Sequence, residues 1–190
     1  MDMNADRAIS SSDIYAQIHK IRVRRRVRCI AGIALLAAAL GAAYGMFGLY
    51  RVKGGSMYPT LMENDIVVYR RGAFEPKRGD IVVIQSELSP SGYMIKRVIA
   101  TGGDVVQVDV AGRVRLNGEA LQEDYAQYAD EGGAVAETSV QDGCCFVMGD
   151  NRGDSQDSRD AGVGELQSSL IQGKAVLVIR TVRHGLAEAS

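Results

Sequence analysis

One stretch of the sequence has the makings of a nucleophile: Gly54-Gly55-Ser56-Met57-Tyr58-Pro59. Paired glycines let a backbone lie close to a bound chain, and Pro59 restricts the segment just after the serine. A Gly-Gly-Ser turn by itself is equally an ordinary linker. A serine hydroxyl attacks a carbonyl only when a base takes its proton. Histidine is the usual base, but the chain has only two, His19 and His184, both far from the middle of the sequence. Neither a Ser/His/Asp triad nor a His-ligated metal centre is therefore expected. The three cysteines, Cys29, Cys144 and Cys145, form no C-x-x-C pair, so zinc and thioredoxin-like chemistry are not expected either. Adjacent α-carbons lie about 3.8 Å apart, short of the roughly 4.4–6.8 Å a disulfide spans. Cys144 and Cys145 read as reduced strand residues.

With histidine scarce, lysine is the leading base. At its reference pKa of about 10.4, a lysine is neutral in about one molecule in 2,500 at pH 7. Burial must disfavour its charged form before it can take a proton. Four lysines follow residue 50. Lys53 sits three residues before Ser56 and reads as an interfacial residue. Lys77 lies in the polar turn Pro76-Lys77-Arg78-Gly79-Asp80, and Lys174 opens a strand beside Gly173. Lys96 lies inside a strand pattern, where alternation places Met94, Lys96, Val98 and Ala100 on one face. That face is otherwise apolar, which predicts partial burial; a lysine on an exposed sheet edge is the other reading.

The elements that must hold these residues follow from charge and periodicity. The 190 residues carry a net charge of −1, a length that suits one domain with an appendage. The near-zero total hides a strong asymmetry. Residues 1–28 hold seven basic and three acidic side chains, 29–50 hold none, and 51–190 hold 15 basic and 20 acidic ones. A mildly acidic body is a poor partner for nucleic acid, whose binding rests on phosphate neutralisation. An apolar content of 46% with three prolines argues against a disordered chain.

Cys29–Tyr50 is 22 residues of apolar side chains and glycine. As a helix it spans about 33 Å, against a hydrocarbon core about 30 Å thick. It reads as a transmembrane helix; a cleaved signal sequence and a buried helix of a soluble domain are the alternatives. The basic run Lys20–Arg28 precedes it, and the positive-inside rule places that run in the cytoplasm. Residues 51–190 then lie outside. In that body, short β-branched segments recur between Gly, Asp and Pro signals: 66–69, 80–85, 93–100, 105–110, 114–116, 144–148 and 174–182. The expected fold is mainly β, after one N-terminal transmembrane helix. Residues 119–142, acidic and rich in Gly and Ala, read as a surface loop, and the residues after His184 as a frayed end.

Four boxes of the body, in order, resemble those of the type I signal peptidases. They are Ser56-Met57-Tyr58-Pro59-Thr60, Arg78-Gly79-Asp80-Ile81-Val82-Val83, Lys96-Arg97-Val98-Ile99-Ala100-Thr101-Gly102-Gly103-Asp104, and the eleven residues from Gly149 to Arg159. The resemblance covers most of residues 50–182. It implies a signal-peptidase-like β catalytic domain over 51–190, a transmembrane helix over 29–50 and a cytoplasmic segment over 1–28. It implies Ser56 as nucleophile and Lys96 as general base. It further implies Ser155 hydrogen-bonded to the lysine, with Asp157 and Arg159 supporting the site as a pair. Asp150 and Asn151 read as a tight turn without a catalytic part. The resemblance implies the backbone N–H of Ser56 as oxyanion donor; Gly54 stands where some members place a second, hydroxyl donor, so that donor stays unassigned.

The implied substrates are secretory preproteins with small residues at positions −1 and −3. The cut takes place at the outer face of the plasma membrane, by a single-pass protein in contact with lipid, without metal or cofactor. Met57, Val82 and Ile84 read either as pocket or membrane-facing residues or as core. A specialised Ser/Lys peptidase serving a dedicated secretion or conjugation substrate is the alternative, and an inactive membrane-anchored binding protein the more distant one.

Overall fold

A computed structural model describes residues 11–181, apart from Asp130 and Gly132. The expectations for His184, Val182 and the chain end fall outside the described residues. The chain divides into two compact units, 1–45 and 46–190.

The first unit holds the helix α1 (Ser11–Met46) up to Gly45; it is rich in Ala and Arg, which are strong helix formers. Its stretch Arg22–Met46 is 25 residues long and apolar enough to cross a membrane. The helix stops short of the expected boundary at Tyr50. The last four residues of the uncharged run, 47–50, belong instead to strand β1 (Phe47–Arg51), paired antiparallel with β2 (Ile66–Arg71). A strand partner is a tertiary property that an uninterrupted apolar run does not display.

The second unit is β throughout, with one short 3₁₀ turn. A seven-stranded antiparallel sheet has the order β1-β2-β11-β3-β4-β9-β10. Here β3 is Ile81–Gln85, β4 Tyr93–Thr101, β9 Cys144–Met148, β10 Leu166–Gln167 and β11 Ile171–Ile179. A four-stranded sheet has the order β7-β6-β5-β8, from β5 (Val105–Val108), β6 (Val114–Leu116), β7 (Glu119–Ala120) and β8 (Val135–Ser139). Asn117 and Gly118 both take positive φ between β6 and β7, as a tight hairpin requires. The expectation of a plain loop over 119–142 is corrected here. The segment contributes β7 and β8, and β8 is the outer partner of β5. Its exposed, polar residues carry no apolar alternation, so nothing in its pattern marks a strand.

Three apolar clusters hold the sheets. Val82, Ile84, Met94, Val98 and Val147 form one. Val52, Met57, Leu61, Val67, Val83 and Ile95 form another. Ile99, Ala100, Phe146 and Met148 join Val106, Val108, Val114 and Leu116 of the smaller sheet in the third. Met57, Val82 and Ile84 are thus core, each at most 1% exposed. Along β4 the register with β9 shifts between Val98 and Ala100. Val98 stays in the cluster of Met94, while Ala100 joins Ile99 in the third. The single face expected from strict alternation therefore ends at Val98, because a bulge moves the following side chains.

Candidate active site

Ser56 lies in the loop between β1 and β2. The base of that loop is closed by Val52 N–H to Asp65 O (2.8 Å) and Asn64 N–H to Val52 O (2.9 Å). Met57 and Leu61, 1% and 0% exposed, anchor the loop in the core behind the serine. Gly54 has φ +73°, a backbone conformation that side chains with a Cβ resist. Tyr58 N–H donates to Gly55 O at 3.0 Å and turns the chain sharply at Ser56.

Lys96 lies on the central strand β4, opposite Val82 of β3, and is 4% exposed. Among the described residues it forms no ion pair. Burial pulls its pKa below the ordinary 10.5. Asp157 opposes that shift, Arg159 adds to it, and Asp154 and Asp160 oppose it. The other lysines have different surroundings. Lys174 pairs with Asp80 at 2.6 Å, and Lys53 is exposed.

Ser56 and Lys96 line one cleft of about 210 Å³, together with Tyr50, Lys53, Tyr93, Met94 and Ile95. β3 pairs with Tyr93–Arg97. β9 joins β4 only from Arg97 onward. One edge of Tyr93–Lys96 therefore has no strand partner among the described residues, and this stretch lines the cleft.

The segment Gly149–Arg159 packs beneath the serine loop. Asp157, fully buried, accepts from Ser155 Oγ (2.6 Å), Gly149 N–H (2.9 Å) and the Arg159 guanidinium (2.8 Å twice). Burial pushes its pKa up, but the bonds and charge of Arg159, with Ser155 and Gly149, outweigh burial and hold it below the ordinary 3.8. The Ser155 proton thus goes to Asp157, where the resemblance implied a bond between Ser155 and Lys96; a hydroxyl has one proton to give. Gly149 is fitted between the two serines. A Cβ there would land on the Ser155 hydroxyl and the Ser56 carbonyl.

The turn Asp150-Asn151 does more than the sequence suggests. The Asn151 N–H donates to Ser56 O at 3.0 Å, and its side-chain Nδ2 donates to Gly55 O at 3.2 Å. Asp150 receives two bonds from Arg97, at 2.8 and 2.6 Å. Arg97 is the neighbour of Lys96, and it also stacks 3.9 Å from the Tyr125 ring. Two consecutive residues therefore tie the serine loop to the lysine strand. Among the described residues the Ser56 N–H has no acceptor, while its carbonyl is held.

Arg152 is buried and donates to Gly149 O (3.1 Å), to Gly112 O, and to both Glu123 oxygens (2.7 and 3.0 Å). Tyr125 O–H also donates to Glu123, at 2.8 Å. Glu123 comes from the segment read as a surface loop. Its signal was the arginine of the fourth box, which needs a counter-ion once buried; the sequence does not say which carboxylate provides it.

Residues 24–180 match the family described as signal peptidase, peptidase S26. The chain belongs to the signal peptidase family. It is 35% identical over 158 residues to signal peptidase I T of Bacillus subtilis strain 168, covering 77% of this chain and 80% of that one. It is 36% identical over 158 residues to signal peptidase I of Bacillus licheniformis, covering 77% and 83%. A crystal structure of a signal peptidase I from Enterococcus faecalis V583 aligns at 25% identity with a TM-score of 0.43, over 54% of this chain and 98% of that one. The family match and the Bacillus relatives make the chain a signal peptidase I hydrolase, whose reaction removes signal peptides. The structure brings four of the family's sequence boxes together. Ser56 and Lys96 share the cleft, Ser155, Asp157 and Arg159 form one hydrogen-bonded group, and Arg97 of the third box donates to Gly79 O of the second at 3.1 Å.

Proposed function

We propose that this signal peptidase is a membrane-anchored serine endopeptidase with Ser56 as nucleophile and Lys96 as general base. The observation that carries this reading is the one cleft lined by both Ser56 and a lysine that is 4% exposed and, among the described residues, forms no ion pair. Burial keeps a larger share of Lys96 neutral than solvent would. Neutral Lys96 takes the Ser56 proton as the oxygen attacks the scissile carbonyl. The ammonium then protonates the leaving amine and an acyl-enzyme remains. Lys96, neutral again, activates the water that releases it.

The Ser56 N–H supplies the donor to the developing oxyanion. With its proton given to Asp157, the Ser155 oxygen remains an acceptor for a Lys96 N–H and so orients the amine. Arg159 keeps Asp157 ionised and in place. These three support the dyad and do not touch the scissile bond.

The substrate lies as an added strand against the open edge of Tyr93–Lys96, where main-chain bonds supply affinity. Small residues at −1 and −3 suit the shallow cleft. α1 anchors the protein through Cys29–Met46, about 27 Å long as helix. The basic run Lys20–Arg28 stays in the cytoplasm and the catalytic unit faces outward. Holding enzyme and preprotein in one membrane raises their effective concentration.

The test is cleavage of a preprotein with an Ala-x-Ala site by the detergent-solubilised chain, with the product N-terminus identified. Wild type cuts after the second alanine, and Ser56→Ala does not. Equal cutting by both would end the assignment of Ser56.

A further inference from the structure

The charges lining the cleft are all of one sign. Lys53 and Lys96 line it, and no aspartate or glutamate does; Ser89 and Gln156 supply neutral polar groups. Lys96 is buried, so its charge is the one that burial disfavours. Lys53 is exposed and forms no ion pair among the described residues. Asp154 lies against Gly55, 3.1 Å from where a side chain on that glycine would begin, and Glu87 precedes the lining residue Leu88 in sequence, but neither carboxylate lines the cleft. Lys53 therefore puts an unmatched positive charge at the place where the polypeptide substrate must lie.

We propose that Lys53 is a specificity-determining residue that favours substrates with an acidic side chain close to the cut and disfavours those with a basic one. The inference rests on Ser56 being the nucleophile. Three residues separate the α-carbons of Lys53 and Ser56 by at most about 11 Å. With the reach of the lysine stem, the ammonium meets substrate side chains within about four residues of the scissile bond. Lys53 is water-exposed, so its field is weakened by solvent and sensitive to salt. Its effect is a graded preference. It acts on substrate and transition state alike, so it enters KM and leaves kcat nearly alone.

The experiment uses the full chain in a non-ionic detergent, which removes anionic lipid as a competing partner for Lys53. Peptides keep alanine at −1 and −3 and carry Asp, Asn or Lys, one at a time, at −4, −2, +1 or +2. The readout is the ratio of kcat/KM for the Asp peptide to that for the Lys peptide, taken within each enzyme so that any common loss of turnover cancels. In wild type we expect a ratio of about 3–10 at one or more positions, carried by KM and reduced in 0.5 M salt. Lys53→Ala should bring it near one, and Lys53→Glu should invert it. Ratios that are the same in all three enzymes would overturn the proposal while leaving the dyad intact. Failure of wild type to cut even the Asn peptides would remove the Ser56 reading, and the role of Lys53 with it.

Discussion

Replacing Asp157 by asparagine tests how the support beneath the serine and lysine is built. Asp157 is fully buried, and Arg159 opposite it has a side chain only 5% exposed. The carboxylate accepts two bonds from the guanidinium at 2.8 Å each, one from Ser155 at 2.6 Å and one from Gly149 at 2.9 Å. Asparagine keeps one acceptor oxygen and turns an NH₂ group toward these donors, leaving a guanidinium without its counter-charge. Breaking a buried ion pair from one side costs about 3–5 kcal/mol. For a unit of this size, each kcal/mol moves the melting temperature by about 3–4 °C, so Asp157→Asn should melt about 9–20 °C lower.

The pH dependence supplies a second check on Asp157. Because its folded pKa lies below 3.8, the unfolded chain takes up the proton first as pH falls. The carboxylate's stabilisation is then complete above about pH 4 and disappears as pH drops through the folded value. The gap between wild type and Asp157→Asn, read by urea unfolding in detergent, should be constant from pH 7 to about 4 and narrow below that. A gap under about 1 kcal/mol at pH 7 would show the pair to be screened like a surface ion pair, and the reasoning from burial would fail.

The other expectations concern the dyad and its supports. The pH profile of kcat/KM should rise through a limb below 10.5, because activity needs neutral Lys96 and burial lowers its pKa; a limb at the ordinary lysine value would contradict the assignment. Lys96→Ala should stay inactive at every pH where the fold survives, as measured on the same peptide. Asn151→Ala removes one neutral hydrogen bond to Gly55, worth about 1 kcal/mol. It should lower kcat about fivefold with little change in melting temperature, and an unchanged kcat would deny it a positioning role. Glu123→Gln leaves Arg152 buried without its partner and should cost about 3–5 kcal/mol by denaturant titration. The double variant Glu123→Gln/Arg152→Met should recover part of that loss, since the orphaned charge is gone.

Much of this site was open to a reader of the sequence because its chemistry is local. The burial of Lys96 followed from an apolar strand face, and the strand segments from β-branched runs closed by turn residues. The roles proposed for Ser56 and Lys96 come from boxes whose order and spacing carry the family resemblance. Each of these is a property of a few consecutive residues.

What the tertiary structure decided are the pairings. Whether Phe47–Arg51 continues a helix or joins a sheet depends on β2, which begins fifteen residues after β1 ends. The strand at 135–139 exists because β5 offers it an edge, since only Val135 of its residues is part-buried and no apolar alternation marks it. The partner of Arg152 is one carboxylate among twenty acidic residues of the body, selected by where the chain folds back. Asn151 reads as a turn residue until the loop of Ser56, 95 positions earlier in the sequence, is laid against it. Residue type and periodicity determine which groups can do chemistry and which faces are buried. Contacts between distant segments determine which of those groups meet, because no local pattern encodes the partner of a strand edge or of a buried charge.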